Sequence, residues 1–331
     1  MKKRFVPVLL IVLLGLALAA AGCQKTEPAA GKNEGGKKSA KLSGTVKISG
    51  AWALYPMVVK WAEEFEKINP DVRIDVSAGG AGKGAADALG GLVDIGMVSR
   101  GIKPEEESQG GFWVAVTRDA VLPTISDGNP VLWKGLAEKG IKRSVFEDLW
   151  INDKKLTWGE IAGGDDKSAV AVYTRSDACG AAESWAKYLG DKKQEDLKGT
   201  GVYGDPGVAE AVKKDINGIG YNNLNYAYDP STGLPVSGIF IVPIDVNENG
   251  KVDPEEDLKT KKKAIKAIVS GAYPSPPARD LNLLTKGEFK GAAKAFVDWI
   301  LTDGQKYVEE VGYIKLPAKQ LKEEQSKLEG K

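Results

Sequence analysis

Two loops in this sequence combine glycines with a basic side chain, as anion-binding loops do. The first, "AGGAGKG", runs from Ala78 to Gly84 and opens a predicted helix. Glycines let the backbone approach a ligand, and the free N–H groups at a helix start favour an anion. No Ser or Thr follows Lys83 at the spacing of a nucleotide-binding P-loop. A connector without a ligand can have the same composition, so this loop does not decide between the two interpretations.

The second loop, "RSDACGAA", runs from Arg175 to Ala182, after a predicted strand and before a predicted helix. An arginine near a helix N-terminus supplies donors in a fixed geometry that suits an oxyanion. The alternative is that Arg175 pairs with Asp177 or another surface carboxylate. Two such loops, each at the end of a strand, indicate an anion site better than either does alone.

A third motif predicts a metal site. The segment "DVNENGKVDPEE" from Asp245 to Glu256 matches the twelve-residue calcium-binding loop, with Gly250 at the sharp turn. A strand is predicted before it, which favours a stabilising calcium clip over a sensor. The alternative is an Asn-Gly turn with an acidic rim. The predicted calcium ligands are Asp245, Asn247, Asn249, Lys251, Asp253 and Glu256.

Composition excludes several functions. The 331 residues include no histidine, which removes Ser-His and Cys-His nucleophile pairs and the usual zinc ligands. The two cysteines are Cys23 and Cys179. A helix N-terminus lowers a thiol pKa, but an enzyme using Cys179 would need an unusual base, so we expect a binding protein and no enzyme. The net charge of +1 gives no reason to expect nucleic acid as a partner.

Alternating strands and helices must position these loops. After the strand-like "GTVKISG", apolar residues recur at helical spacing at Val58, Trp61, Ala62, Phe65 and Ile68. Such alternation predicts a largely parallel sheet with helices on its faces, and ligands then lie at the carboxyl ends of the strands. Further strands are predicted at Val72–Val76, Val93–Val98, "FWVAVTRDAVLPTIS", "AVAVYTR" and "GIFIVPIDV", and helices at Lys261–Val269 and Ala292–Glu310.

The N-terminal residues resemble an export signal. The basic residues Lys2 to Arg4 are followed by an apolar run from Phe5 to Ala21, and small residues precede Cys23. The Gly22-Cys23 junction resembles the lipobox of bacterial lipoproteins, whose cysteine receives lipid; the alternative is an ordinary cleaved signal. We therefore predict a signal peptide at residues 1–22, a disordered tether at 23–43, lipidation of Cys23, and an exported protein anchored to the cell membrane on its periplasmic or extracellular face.

From Thr45 to Pro317 the chain resembles the substrate-binding proteins of phosphate-type ABC importers, a family of two-lobed periplasmic binding proteins. The resemblance implies an α/β fold whose lobes close on a dehydrated tetrahedral oxyanion, held by backbone N–H groups, hydroxyls, an arginine and an acidic acceptor. It also implies delivery of phosphate to ABC permease subunits. The matching segments are "SGAWALYPMVVKWAEEF", "NPDVRIDVSAGGAGKG", "VDIGMVSR", "LTWGEI", the Arg175 loop, "GIGYNN" and "WILTDGQKYVEEVGYIKLP".

On this resemblance, residues 44–122 and 238–318 form lobe I, residues 123–237 form lobe II, and residues 319–331 form a charged C-terminal tail. We expect a monomer. The alternative is a surface receptor or adhesin that has the same lobes and no transport partner. A neighbouring permease gene would distinguish the importer component from this alternative.

The departures from the family pattern lie in the site. In the first turn, between the first predicted strand and helix, this chain has Ala51, Trp52 and Ala53 where the family usually has Thr or Ser. Across the whole site at least four hydroxyl donors are missing. At about 1.5 kcal/mol per hydrogen bond to a charged group, this loss weakens binding by about four orders of magnitude if nothing compensates. The predicted ligand-binding residues are Ala51, Trp52, Ala53, Ala81, Gly82, Lys83, Ser99, Arg100, Asp119, Arg175, Cys179, Gly180 and Ala181.

Two explanations of these departures stay open. In one, backbone N–H groups and the side chains of Lys83, Ser99, Arg100 and Arg175 rebuild a phosphate site with charge in place of hydroxyls. In the other, the pocket holds a different oxyanion or small ligand, and Trp52 and Cys179 line a less polar cavity. Asp119 is the candidate acidic acceptor, or else a structural carboxylate at the hinge.

Overall fold

The computed structural model describes residues 41–330, and the chain from Lys41 onward forms one compact unit. The predicted signal peptide, Cys23 and most of the predicted tether lie outside the described residues. The strands are β1 Gly44–Gly50, β2 Val72–Ala78, β3 Ile95–Val98, β4 Gly111–Ser126, β5 Ala171–Arg175, β6 Thr200–Val202, β7 Gly218–Asn223, β8 Ile239–Ile241 and β9 Ala278–Lys286.

Helices follow most strands. They are α1 Tyr55–Ile68, α2 Ala81–Leu89, α3 Pro104–Ser108, α4 Leu136–Lys139, α5 Arg143–Trp150, α6 Trp158–Ala162, α7 Gly180–Tyr188, α8 Gly204–Lys214, α9 Leu224–Ala227, α10 Lys261–Ser270, α11 Gly291–Leu301, α12 Lys306–Val311 and α13 Ala318–Leu328, with 3₁₀ turns at Leu132–Lys134, Gln194–Asp196 and Asp303–Gln305.

The sheet consists of two parallel halves joined by two antiparallel strands. Its order is β2-β1-β3-β9-β4-β7-β5-β6, with β8 beside β4. Strand β1 is parallel to β2 and β3, and β5 is parallel to β6 and β7. Strands β4 and β9 pair antiparallel and cross between the halves. The α/β class and the two-lobed arrangement expected from the sequence are confirmed.

Each half of the sheet has its own hydrophobic core. The first core, here called core I, contains side chains from Val46 to Val116 and from Leu281 to Leu328. The second, core II, contains side chains from Ala120 to Ala278 together with Ile314. The predicted lobe bounds put residues 238–318 in lobe I. Residues 241–278 instead pack in core II, because β8 pairs with the second part of β4 and α10 buries its apolar face there.

Helix α1 shows why the sequence pattern succeeds within one element. Pro56 lies in the first helical turn, where its missing N–H costs nothing. Trp61 and Phe65 are buried in core I as the spacing predicts, and the Trp61 Nε1 atom donates to the Gly304 carbonyl at 2.8 Å. Ile68 was expected on the same face but is 61% exposed, since it is the last residue of the helix and extends past the core.

Glycines bring α2 close to the sheet. A Cβ on Gly50, at the end of β1, would lie 2.3 Å from the Met97 carbonyl oxygen and 2.8 Å from Gly84 Cα. Gly50 also has φ +134°, which disfavours other residues. A side chain at Gly50 would clash with both groups. Its absence lets the start of α2 lie directly against the carboxyl ends of β1 and β3.

The C-terminal region differs from its prediction in two respects. The single helix expected over Ala292–Glu310 is interrupted at Thr302, so that α11 is followed by a 3₁₀ turn and by α12. The segment expected as a charged tail contains helix α13, whose Leu328 is buried in core I and whose Gln325 Nε2 donates to the Leu301 carbonyl at 2.6 Å. Within residues 41–330, no helix has the length and apolar character needed to cross a membrane.

Candidate functional site

The N-terminal ends of helices α1, α2, α7 and α8 meet between the two halves of the sheet. The backbone N–H of Gly82, in the first turn of α2, donates to the Ala178 carbonyl just before α7 at 3.0 Å. A Cβ on Gly180, the first residue of α7, would lie 2.2 Å from the Ser99 carbonyl oxygen. The predicted strand-end loops therefore do converge, through contacts that only glycine permits.

The turn formed by residues 51–53, between β1 and α1, extends from core I to the place where the four helix starts meet. The Ala51 N–H donates to the Met97 carbonyl at 2.9 Å, while Ala51 and Ala53 are buried. Trp52 extends toward α8, and its ring contacts Tyr203 edge-on with 6.1 Å between centroids. The Tyr226 hydroxyl donates to the Trp52 carbonyl at 3.2 Å. This turn thus touches both lobes.

Arg175 is buried at the end of β5, and two carboxylates occupy its guanidinium. Its Nε donates to Asp177 Oδ1 at 2.8 Å, and its Nη1 donates to Asp205 Oδ2 at 2.6 Å. Burial lowers the pKa of Arg175, but the neighbouring acidic groups, Asp205 first and then Cys179 and Asp177, raise it well above the usual value. The guanidinium and its two partners carry a net charge of about −1.

Asp205 is the residue of this group that the sequence analysis missed. It lies in the first turn of α8, fully buried, and its Oδ1 accepts from the Asn223 N–H at 3.0 Å. A signal was available, because "YGDPG" follows a strand and contains a glycine, like the loops that were identified. The pairing of Arg175 with Asp177 was recognised as an alternative, and the structure contains it.

The other predicted cations are neutralised away from Arg175. The Lys83 ammonium pairs with Asp87, whose carboxylate also accepts from the Ser49 hydroxyl at 2.6 Å. The Arg100 guanidinium donates to both Glu106 oxygens, at 2.6 and 2.9 Å, and its Nε lies 3.0 Å from Glu183. In this arrangement neither side chain offers an unpaired positive charge to a ligand beside Arg175.

Arg100 lines a separate groove of about 700 Å³ on the surface beside α7. Gly82, Ala178 and Cys179 also line it, but the other lining residues are mostly charged, such as Lys103 and Glu195. Trp52 is not among them. Trp52 and Cys179 therefore do not both line this groove.

Asp119 lies in the crossing strands rather than in the loops. It is 1% exposed, its Oδ1 accepts from the Leu224 N–H at 3.2 Å, and its Oδ2 lies 3.3 Å from Arg279 Nη1. Burial raises the pKa of Asp119 to about 6, and Arg279 offsets this only in part. Arg279 Nε also donates to the Ser99 carbonyl at 3.1 Å. These contacts fit the hinge interpretation of Asp119.

Cys179 is the N-cap of α7 and is largely buried. Its Sγ accepts from the Ala182 N–H at 3.4 Å, and the side chain is buried. Burial raises the pKa of the thiol to about 12, although Arg175 lowers it. Burial therefore disfavours the thiolate that a nucleophile requires.

The predicted calcium loop is folded and mostly exposed, with its first and last residues, Asp245 and Glu256, buried. Asp245 is 2% exposed and accepts from the N–H groups of Asn249 and Gly250 at 3.0 and 2.9 Å. Glu256 accepts from the Val246 and Asp253 N–H groups at 2.8 and 3.1 Å. Within the described residues, no three Asp, Glu, Cys or His side chains converge as metal ligands. A cation here would also need amide and carbonyl oxygens.

The Asn side chains of this loop contact Asp253. The Nδ2 atoms of Asn247 and Asn249 each donate to Asp253 Oδ2 at 2.7 Å. Gly250 has φ +78°, as the sharp turn of such a loop requires. A rotation of either amide would exchange its donor for an oxygen that can ligate a cation.

The chain is similar to curated phosphate-binding proteins. The chain is 27% identical over 317 residues to "Phosphate-binding protein PstS" of Bacillus subtilis (strain 168), with 95% of each chain covered. It is 28% identical to the protein of the same name from Methanocaldococcus jannaschii, with 93% of this chain and 92% of that protein covered.

Solved structures show the same fold. A phosphate ABC transporter substrate-binding protein from Clostridium perfringens, described as putative and with bound phosphate, matches with a TM-score of 0.67 at 24% identity, over 83% of this chain and 100% of the other. An ABC-type phosphate transport receptor from Vibrio cholerae matches with a TM-score of 0.59 at 17% identity, over 82% and 100%. The model of the PBP superfamily domain PBP_like_2 matches residues 35–304. On that match and on the two-lobed fold, the chain belongs to the PBP superfamily.

Proposed function

We propose that the protein is the substrate-binding component of an ABC importer and binds phosphate between its lobes. Relatives covering most of the chain are named phosphate-binding proteins, which supports a binding protein rather than an enzyme. The observation that carries the proposal is the position of Arg175. This buried guanidinium lies where four helix N-termini converge, and helix starts direct N–H groups toward anions.

The missing hydroxyls leave a second candidate ligand. Arg175 already holds two carboxylates, so a fully ionised anion meets a net negative group of side chains. This favours a protonated oxyanion, or another small ligand that brings its own donors, over a dianion. The fold and the location of the site are the same in both cases.

Isothermal titration calorimetry of the mature domain with inorganic phosphate tests the proposal. Sulfate, which is fully ionised at neutral pH, serves as the matched anion. We expect heat from phosphate and little from sulfate. An absence of heat at millimolar phosphate would overturn the phosphate assignment and leave the fold assignment in place.

The setting of the protein follows from the same proposal. A substrate-binding component acts outside the cytoplasm, and we propose that residues 1–22 direct export and that lipid on Cys23 anchors the chain to the membrane. We propose a monomer that delivers its ligand to permease subunits. Labelling of expressed full-length protein with a radioactive fatty acid, against a Cys23→Ser control, tests the anchor; equal label in both would contradict it.

We also propose that residues 245–256 bind calcium as a structural clip, with ligands from Asp245, Asn247, Asn249, Lys251, Asp253 and Glu256. The support is the motif and its folded frame, in which Val252 N–H donates to the Glu138 carbonyl at 2.7 Å and so ties the loop to α4. Bound calcium would then stabilise core II.

Thermal unfolding in calcium and in a chelator tests this clip. We expect calcium to raise the Tm of the wild type by several degrees, since a ligand that binds only the native state stabilises it. Glu256→Gln should lose this increase. The same Tm for the wild type in calcium and chelator would contradict the proposal.

A further inference from the structure

The Trp52 indole N–H is a buried donor without a hydrogen-bond partner among the described residues. Its neighbours are aromatic and backbone groups, because its ring contacts Tyr55 at 6.4 Å and Tyr203 at 6.1 Å between centroids. A buried donor that has lost water and gained no partner is costly, and few occur in native proteins. The position of this donor therefore requires an explanation.

A chain of contacts connects this donor to Arg175. A Cβ on Gly204 would lie 3.4 Å from Trp52 Nε1 and 3.1 Å from Trp52 Cε2, so the pyrrole edge of the indole faces the start of α8. The Gly204 N–H donates to Asp177 Oδ1 at 3.1 Å, and that oxygen also accepts from Arg175 Nε at 2.8 Å. The unpartnered N–H thus lies beside Gly204, whose own N–H shares the Asp177 Oδ1 acceptor with the buried guanidinium of Arg175.

The turn that carries Trp52 lacks other side-chain donors. Ala51 and Ala53 on either side of it are buried and apolar. The indole N–H is therefore the one side-chain donor that residues 51–53 contribute to the interlobe site. An indole is a donor only, so it matches an acceptor oxygen and no protonated group.

We propose that the Trp52 indole N–H donates a hydrogen bond to an oxygen of the bound oxyanion, and so takes over the task of the hydroxyls that this turn lacks. The inference rests on the proposed function, since it assigns a residue and a ligand chemistry to that same site. Contact of the Trp52 ring with Tyr203 and Gly204 positions the donor when the lobes close. Trp52 is then a determinant of specificity for ligands with an acceptor oxygen beside Arg175.

Calorimetry on Trp52→Phe tests this role, because phenylalanine keeps an aromatic ring and removes the N–H. We expect phosphate to bind the variant about tenfold to a hundredfold more weakly than the wild type, as for the loss of a hydrogen bond to a charged group. Trp185→Phe is the matched control. Trp185 Nε1 is likewise buried and unpartnered among the described residues, but its ring packs in core II against Trp150 and Tyr221. Affinity should be unchanged in this control.

An NMR titration of the wild type gives a second readout that a structural role would not produce. The eight tryptophans give separate indole N–H signals, assigned through the backbone. On addition of phosphate, the Trp52 signal should shift downfield and the Trp185 signal should stay in place. Unchanged affinity in Trp52→Phe, or phosphate binding that leaves the Trp52 signal in place, would overturn the inference alone. A wild type that binds no phosphate would instead overturn the proposed function beneath it.

Discussion

At the scale of single residues, Asp205 controls how much positive charge Arg175 offers. Its carboxylate lies 2.6 Å from Nη1 and brings the second negative charge to a guanidinium that Asp177 already neutralises. Removal of Arg175 itself would be a poor test, because two buried carboxylates would be left without their counterion and the fold would lose about 3–5 kcal/mol. Asp205 can be neutralised with less disturbance.

Asp205→Asn should increase phosphate affinity by about tenfold or more, since it removes one like charge near the ligand while the amide oxygen still accepts from Arg175; the Asn223 N–H loses its acceptor in the exchange. Calorimetry at fixed ionic strength measures the change. Asp215→Asn is the control, because it makes the same charge change at the opposite end of α8, where Asp215 accepts from the Tyr173 hydroxyl. Affinity that stays level or falls in Asp205→Asn would contradict the idea that this carboxylate opposes the anion.

At the scale of elements, glycines at helix starts decide how closely the lobes approach. Gly82 has ordinary helical geometry, yet a Cβ there would lie 2.7 Å from the Ala178 Cβ in the other lobe. Within α2 the change to alanine is favourable by up to about 1 kcal/mol. The helix propensity of alanine affects the folding equilibrium, whereas the clash with Ala178 affects the closure of the two lobes.

We therefore expect Gly82→Ala to keep or raise thermal stability while it weakens ligand binding and leaves the molecule more open in small-angle X-ray scattering. Gly101→Ala is the control, because its Cβ would meet no atom within 4 Å. If Gly82→Ala bound phosphate as tightly as Gly101→Ala, the close contact of α2 with the Ala178 loop would not be needed in the phosphate-bound conformation.

The elements of the fold follow from local patterns, whereas the state of the site does not. Alternating and helical spacing predicted α1, β4 and α10, and glycines after strands indicated the loops that converge. The partners of the cations could not be predicted in this way. Asp205 lies 30 residues after Arg175, and Glu183 lies on α7 whereas Arg100 lies in the loop after β3, so their pairing depends on how the halves of the sheet approach. Similarly, nothing in the spacing of Ala292–Glu310 marks the break at Thr302.

At the scale of the whole molecule, Asp119 makes stability depend on pH. This carboxyl lies in β4 where the strand passes between the cores, and Arg279 opposite it in β9 contacts Ser99 and Asn223 as well. Burial raises the Asp119 pKa to about 6, above its unfolded value of about 4. The native state therefore binds more protons than the unfolded state between these values, and stability falls as pH rises from about 4 to about 6.

Asp119→Asn should remove this contribution. Relative to the variant, the wild type should lose up to about 3 kcal/mol of unfolding free energy between pH 4 and pH 6, as expected for a shift of about two pKa units. Urea unfolding at a series of pH values measures both chains. Parallel pH profiles for the wild type and Asp119→Asn would show that another group determines the dependence.

The crossing strands also determine the order in which the chain can acquire its structure. Core II draws nearly all its side chains from one continuous stretch, Ala120 to Ala278, whereas core I also needs Leu281 to Leu328 from the end of the chain. Strand β9, which lies between β3 and β4, is among the last to be available. The half of the molecule with core I, which contains the N-terminal strands, is therefore completed last, when β9 takes its place between β3 and β4. Until then its hydrophobic face and the edge of β3 stay open, which makes this half the one that aggregates or is proteolysed when folding is slow.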